Sequence, residues 1–133
     1  MTRPSPTPPF PSLERRPSGA FGWLDARLLH DRWLEDLGAD ATAVLVLLAL
    51  AADRRGASFY SRERMARLLS LDLYRTDKAL DRLIEVKLVA HKPWREGTRD
   101  GVWQLLPVPR LEIHRTGRMT SLADLIDGAD PHD

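Results

Sequence analysis

One stretch of the chain, residues 70–88, combines a tyrosine with four basic side chains and reads SLDLYRTDKALDRLIEVKL. Guanidinium and ammonium groups bind phosphates, and both also pair with the edge of guanine in the major groove of DNA. The side chains of this stretch that could reach base edges are Tyr74, Arg75, Lys78 and Arg82. These residue types at this spacing indicate a surface that contacts nucleic acid.

Apolar and small side chains in the same stretch recur three or four positions apart, which predicts a helix over about residues 73–86. Their positions are Leu73, Thr76, Leu80, Leu83 and Ile84. Asp72 precedes the first turn, where its carboxylate can accept the free amide hydrogens as an N-cap. The apolar stripe would pack on a core and leave the basic side exposed, as the recognition helix of a helix-turn-helix protein requires.

A second helix is expected immediately before this one. Ser61 can cap a helix over about 62–69, and the turn at 70–72 has the length that joins the two helices of a helix-turn-helix motif. The apolar residues expected to face inward on this helix are Met65, Leu68 and Leu69. Its outward arginines are candidate phosphate contacts, namely Arg62, Arg64 and Arg67.

Two strands are expected after the basic helix, over residues 88–94 and 102–108. They flank a polar, glycine-containing loop, which predicts a β-hairpin that could act as a wing. Residues 57–60 form a short extended segment that could add a third strand. The basic side chains of the hairpin are further candidate phosphate contacts, namely Lys92, Arg95 and Arg99.

Two more helices are expected earlier in the chain. Leucines at helical spacing predict one over about 25–37, with Gly38 as its C-terminal glycine. The next, over about 41–54, would be capped by Asp40. It is apolar on nearly every side, so other elements are expected to surround it as the central pillar of the domain.

The two ends of the chain differ from its middle. Six of the ten prolines lie within residues 1–19, and proline opposes helices and sheet ladders, so residues 1–20 are expected to be a disordered arm. The arginines of this arm could alternatively contact a minor groove or phosphates. Residues 110–133 are expected to be a tail with one short helix near 122–127, which would dock on its own domain or on a protein partner, or stay unfolded.

Composition excludes several classes of protein. The 133-residue chain has no cysteine, so disulfides, thiolate metal sites and thiol catalysis are excluded. Its longest apolar run, residues 41–52, is shorter than the roughly 20 residues of a membrane span, and no signal peptide is visible. The histidines lack metal-ligand spacing, and no phosphate loop or nucleophile motif occurs. We therefore expect a cytoplasmic protein that is not an enzyme, uses no cofactor and contacts no membrane.

Charge is unevenly distributed, although the net charge is only +1. Residues 57–106 contain ten basic and seven acidic side chains, whereas residues 21–56 contain four basic and six acidic ones. The basic excess therefore coincides with the candidate surface. Along residues 72–87, however, four acidic and four basic side chains balance, and carboxylates near a DNA groove repel phosphates.

The order of these elements resembles the winged-helix superfamily of bacterial regulators and replication proteins. The most specific portion is residues 65–89, MARLLSLDLYRTDKALDRLIEVKLV. It looks like the corresponding stretch of GntR- and MarR-type regulators and of the amino-terminal domains of plasmid replication initiators and DnaD-type primosomal proteins. The resemblance implies a mainly α (α+β) domain over residues 21–109, a winged helix-turn-helix with an extra N-terminal helix and a two- to three-stranded wing sheet. Where these families have a glycine after the recognition helix, this chain has Lys87.

Residues and resemblance together predict sequence-specific binding of double-stranded DNA, in transcription regulation or in replication and plasmid maintenance. The alternative is a winged-helix adaptor that binds protein and does not read DNA. A homodimer is expected, with the helix at 25–37, the tail helix, or both at its interface. Trp33 would anchor that interface, or would instead cover the core of its own domain.

Overall fold

The computed structural model describes residues 7–16 and 18–109. Within them the protein is a mixed α+β domain with four helices and one three-stranded antiparallel sheet. A 3-10 turn at Pro11–Leu13 precedes α1 (Arg27–His30), α2 (Trp33–Ala51), β1 (Ala57–Ser58), α3 (Arg62–Leu69), α4 (Leu73–Glu85), β2 (Val89–Pro93) and β3 (Gly101–Leu105). The predicted tail helix near 122–127 and the start of the predicted arm lie outside the described residues.

The 3-10 turn lies in the proline-rich segment, where no helical structure was predicted. Its first residue is Pro11, and proline is well suited to the first helical position because its missing amide hydrogen would have no partner there. The turn is exposed along its whole length. None of its residues is buried, so the turn adds nothing to the core of the domain.

The helix predicted over 25–37 is broken in two. Arg32 adopts a left-handed conformation with φ 67°, which separates α1 from α2. The break lets Leu28 and Trp33 both enter the core, where Trp33 is only 3% exposed. Of the two roles predicted for Trp33, the structure shows the core one, since Trp33 covers the core of its own domain.

Helix α2 contains a kink and lies at the centre of the domain. Gly38 has φ 82° and ψ 178°, so the predicted glycine break is present, yet the helix resumes at once and ends at Ala51 instead of near residue 54. Val44 and Leu48 are buried. Leu50 is exposed, however, so the prediction that α2 is enclosed on nearly every side is wrong.

The predicted N-caps of α3 and α4 are both confirmed. The Ser61 hydroxyl accepts a hydrogen bond from the Arg64 amide at 3.1 Å at the start of α3. The Asp72 carboxylate accepts one from the Arg75 amide at 2.7 Å at the start of α4. These caps satisfy amide groups that the first turns leave free, and they fix where each helix begins.

Both helices end in left-handed residues that are not glycine. Ser70 (φ 58°) follows α3, and the Leu71 amide donates to the Ala66 carbonyl at 2.9 Å. Lys87 (φ 65°) follows α4, and the Leu88 amide donates to Leu83 at 3.0 Å. These six-to-one hydrogen bonds define Schellman motifs, so Lys87 occupies the conformation expected of a glycine.

The apolar stripe of α4 is confirmed over most of its length. Thr76, Leu80 and Leu83 are fully buried, and Met65 meets them from α3. Leu73 is exposed because the stripe begins only after the first turn. On α3 the predicted inward position of Met65 is confirmed, whereas that of Leu68 is wrong. Leu68 is 54% exposed and Leu69 is half-buried, because Met65 and Ala66 instead form the buried side of that short helix.

The sheet has the strand order β1-β3-β2, so the predicted third strand is present. Trp103 of β3 is buried and donates its indole N–H to the Tyr60 carbonyl at 3.0 Å. The ring of His91 on β2 stacks on Trp103 with centroids 3.8 Å apart. Burial lowers the pKa of His91, so the folded chain favours its neutral imidazole. The inner face of the sheet is thus closed by an aromatic stack.

Replacing Leu80 with alanine tests the helix phase that places α4 on the core. Because Leu80 is fully buried, the cavity should lower the free energy of unfolding by about 2–5 kcal/mol. Leu68→Ala is the matched control, since its side chain is largely exposed and should change stability by less than about 0.5 kcal/mol. Urea unfolding of both variants measures this. If Leu80→Ala lowered the free energy of unfolding by less than the control does, the packing of α4 on the core would be contradicted.

Candidate nucleic-acid interface

Helix α4 presents two of the predicted base-contacting side chains to solvent. Tyr74 is exposed, and Lys78, one turn further along, is also exposed with its ammonium 5.7 Å from the Tyr74 ring centroid. A third, Arg82, follows at the same spacing and pairs with Glu85 at 3.3 Å. Surface pairs of this kind contribute about 0–1 kcal/mol, so Arg82 can exchange Glu85 for another anion at little cost.

The fourth predicted base contact, Arg75, is held by α2. Its Nε and Nη2 donate to the two carboxylate oxygens of Asp40 at 2.8 and 2.7 Å. This pair raises the pKa of Arg75 and lowers the pKa of Asp40, chiefly through the hydrogen bonds themselves. The carboxylate of Asp40, predicted to cap a helix, thus binds a side chain of α4. Arg75 remains half exposed but is not a free cation.

Arg62, predicted as a phosphate contact, is held within the domain by two carboxylates. Its side chain is 18% exposed, and Nη1 donates to both carboxylate oxygens of Asp77 on α4, at 2.9 and 2.8 Å. Its Nε lies 3.5 Å from the Asp100 carboxylate, which also accepts the Arg62 amide at 2.9 Å. The bonds to Asp77 raise the pKa of Arg62. Arg62 thereby joins α3, α4 and the start of β3.

Arg99, predicted to contact phosphate from the hairpin, also points back to the protein. Its Nη2 donates to Asp81 at 3.1 Å, and its Nε lies 3.8 Å from Asp77. Both carboxylates belong to α4, one turn apart. Arg99 therefore fastens the loop of the β2–β3 hairpin to α4, and half of its side chain remains exposed.

Four of the six predicted phosphate contacts are exposed and belong to none of the ion pairs described above. The guanidinium of Arg64 lies over the Tyr60 ring at 4.1 Å, a cation–π arrangement that leaves its N–H edges free to donate. The other three are Arg67 on α3, Lys92 on β2 and Arg95 in the hairpin loop. These four cations lie on α3 and on the hairpin, the two elements that Arg62 and Arg99 join to α4.

The ion pairs determine which charges of this surface stay unpaired, although the basic excess over residues 57–106 is the same with and without them. Of the ten basic and seven acidic side chains in residues 57–106, four arginines and four acids belong to the pairs described above, which leaves six basic and three acidic side chains. Three of the acids that the sequence predicted to repel phosphates are therefore paired with arginines, Asp77 in a mostly buried pair and Asp81 and Glu85 in exposed ones. Pattern reasoning could not find these pairs, because most of them join residues distant in sequence.

Replacing Asp77 with asparagine tests whether the Arg62 pair supports the domain. The substitution leaves a mostly buried guanidinium with a weakened set of acceptors, so the free energy of unfolding should fall by about 1–3 kcal/mol. Asp81→Asn is the matched control, since Asp81 and its partner Arg99 are both at least half exposed and should contribute at most about 1 kcal/mol. Equal losses in urea unfolding would contradict the assignment.

Within residues 7–16 and 18–109, no three histidine or acidic side chains converge where they could hold a metal ion. Every helix in the same part of the chain is too short or too polar to cross a bilayer. Searches of family models, curated proteins and solved structures return no match for this chain. The resemblance to winged-helix proteins stays an expectation, and the geometry of the exposed basic surface is what bears on function.

Proposed function

We propose that the protein is a winged helix-turn-helix protein that binds double-stranded DNA, in transcription regulation or in replication and plasmid maintenance. The observation that carries this proposal is the pairing of Asp77 and Asp81 with Arg62 and Arg99. It pairs two of the four carboxylates that stand against α4 as the reading helix with arginines from α3 and the hairpin. The order α3, turn, α4, hairpin is compatible with the fold, and β1 pairing with β3 adds the third strand of a wing sheet.

In this proposal α4 enters the major groove with Tyr74 and Lys78 foremost. Both are exposed in the first half of the helix, from which recognition helices contact base edges. Arg82 follows on the next turn. Arg75 can contact a guanine edge only if its guanidinium first leaves the carboxylate of Asp40.

Phosphate binding falls to the exposed cations on either side of α4. They are Arg64 and Arg67 on α3 and Lys92 and Arg95 on the hairpin. Arg62 has no such role in the proposal, and Arg99 only supports the hairpin. Because phosphate contacts supply most of the affinity and base contacts most of the specificity, the two groups should respond differently to substitution.

We further propose that the protein acts as a homodimer, so that two copies of α4 address half-sites about one helical turn apart. Trp33 takes no part, since it is buried. A surface better suited to the contact combines Leu50 of α2 with Phe21 and Trp23, which flank Gly22 where it packs against the backbone of Ala49 and Leu50. All three large side chains are exposed.

Two alanine variants separate base contact from phosphate contact. Lys78→Ala should relax base preference at one position and cost about 1–3 kcal/mol on the preferred duplex. Arg95→Ala should weaken all duplexes about equally and lower the salt slope of binding by about one. Fluorescence anisotropy with duplexes selected from a random pool measures both effects.

Arg27→Ala is the matched control, because Arg27 is exposed on α1, outside the proposed surface. It should bind as the parent does. If all three variants bind duplex with parental affinity and specificity, the basic surface is only solvated. The protein-binding adaptor would then be the better account.

A further inference from the structure

Two aromatic rings outside the proposed groove contacts are stacked in solvent. Phe59 and Trp94, the aromatic pair, have ring centroids 5.8 Å apart and planes inclined by only 6°. Yet the two side chains are 60% and 59% exposed. Phe59 comes directly after β1, and Trp94 comes directly after β2. The pair therefore offers a flat apolar surface that the core of the domain does not use.

The strand register places this pair on the outer side of the sheet. Ser58 pairs with Trp103, and both are buried, so Phe59 as the next residue faces the opposite way. Lys92 is exposed on β2, and Trp94 lies two positions further along, on the same side. The aromatic pair and a lysine thus share one exposed sheet face.

The charges beside the pair are mainly positive. Lys92 and Arg95 lie within two residues of Trp94, and both are exposed. Glu96 is an exposed acid next to Arg95, whereas Asp100 is engaged by Arg62. A planar aromatic surface flanked by cations matches a nucleotide, whose base stacks on rings and whose phosphate pairs with cations. An apolar peptide would use the rings but not the charges.

We propose that the aromatic pair binds an unpaired nucleobase, in a single-stranded segment that adjoins the duplex held by α4. The base stacks on the exposed ring surface of Phe59 and Trp94, and Lys92 and Arg95 neutralise the flanking phosphates. This inference rests on the proposed duplex binding. It narrows the DNA that the protein prefers to duplexes with an overhang or a gap. Stacking needs no particular base, so the aromatic pair should prefer single-stranded over double-stranded DNA without preferring a base sequence.

The test compares three probes at equal salt: a blunt duplex, the same duplex with a single-stranded overhang, and the single strand alone. The parent should bind the overhang duplex at least about fivefold more tightly than the blunt one. Trp94→Ala should abolish this difference and leave blunt-duplex affinity unchanged. Trp94→Phe should largely restore it, because a ring is retained. Phe10→Ala is the matched control, since Phe10 is an exposed aromatic side chain distant in sequence and outside both proposed surfaces, and this variant should keep the preference.

Each other outcome is decisive. A parent without overhang preference overturns the inference while leaving duplex binding intact. Equal loss of both duplexes in Trp94→Ala, accompanied by a lower unfolding midpoint, also overturns it, because the ring would then be structural. Binding of the single strand alone, lost in Trp94→Ala, would support the base site and contradict the duplex proposal. Failure to bind any probe would overturn both.

Discussion

The ion pair between Arg62 and Asp77 connects the parts of the protein that bear on function. Arg62 begins α3, Asp77 lies in the middle of α4, and the same guanidinium lies beside Asp100 at the start of β3. A mostly buried guanidinium needs these acceptors, since its charge would otherwise be desolvated without compensation. The two helices and the hairpin are therefore constrained together, and Arg99 adds a more exposed connection from the hairpin loop to α4. The exposed cations of this surface are positioned on that rigid frame.

The ends of α4 impose a second constraint. Asp72 caps its start, and the turn before it relies on Ser70 in a left-handed conformation. Lys87 ends it in the same conformation, with Leu88 and Val89 entering the core immediately afterwards. A residue other than glycine in the left-handed conformation costs roughly 1 kcal/mol of stability relative to glycine. Burial of several large apolar side chains of α4 readily offsets that cost. The exposed face of α4 is thus fixed by its caps and its buried stripe.

Local patterns predicted most of the fold. The caps at Ser61 and Asp72, α3, α4, the hairpin and the third strand follow from short-range rules on spacing and capping. The break at Arg32 does not follow from such rules, because it depends on where Trp33 packs in the core. The site was less predictable. Arg75 and Asp40 are 35 residues apart, and nothing in the sequence around either residue reveals the pairing. Charge counting could therefore identify a basic region but could not say which cations are free.

The salt dependence of duplex binding by the unmodified protein tests the central claim most directly. If four exposed cations contact phosphates, the logarithm of the association constant should fall with the logarithm of the salt concentration with a slope of about −3 to −4 per protomer. This range follows from Arg64, Arg67, Lys92 and Arg95, with Arg62 and Arg99 retained in their internal pairs. A slope near zero, or no measurable duplex binding at low salt, would contradict the account.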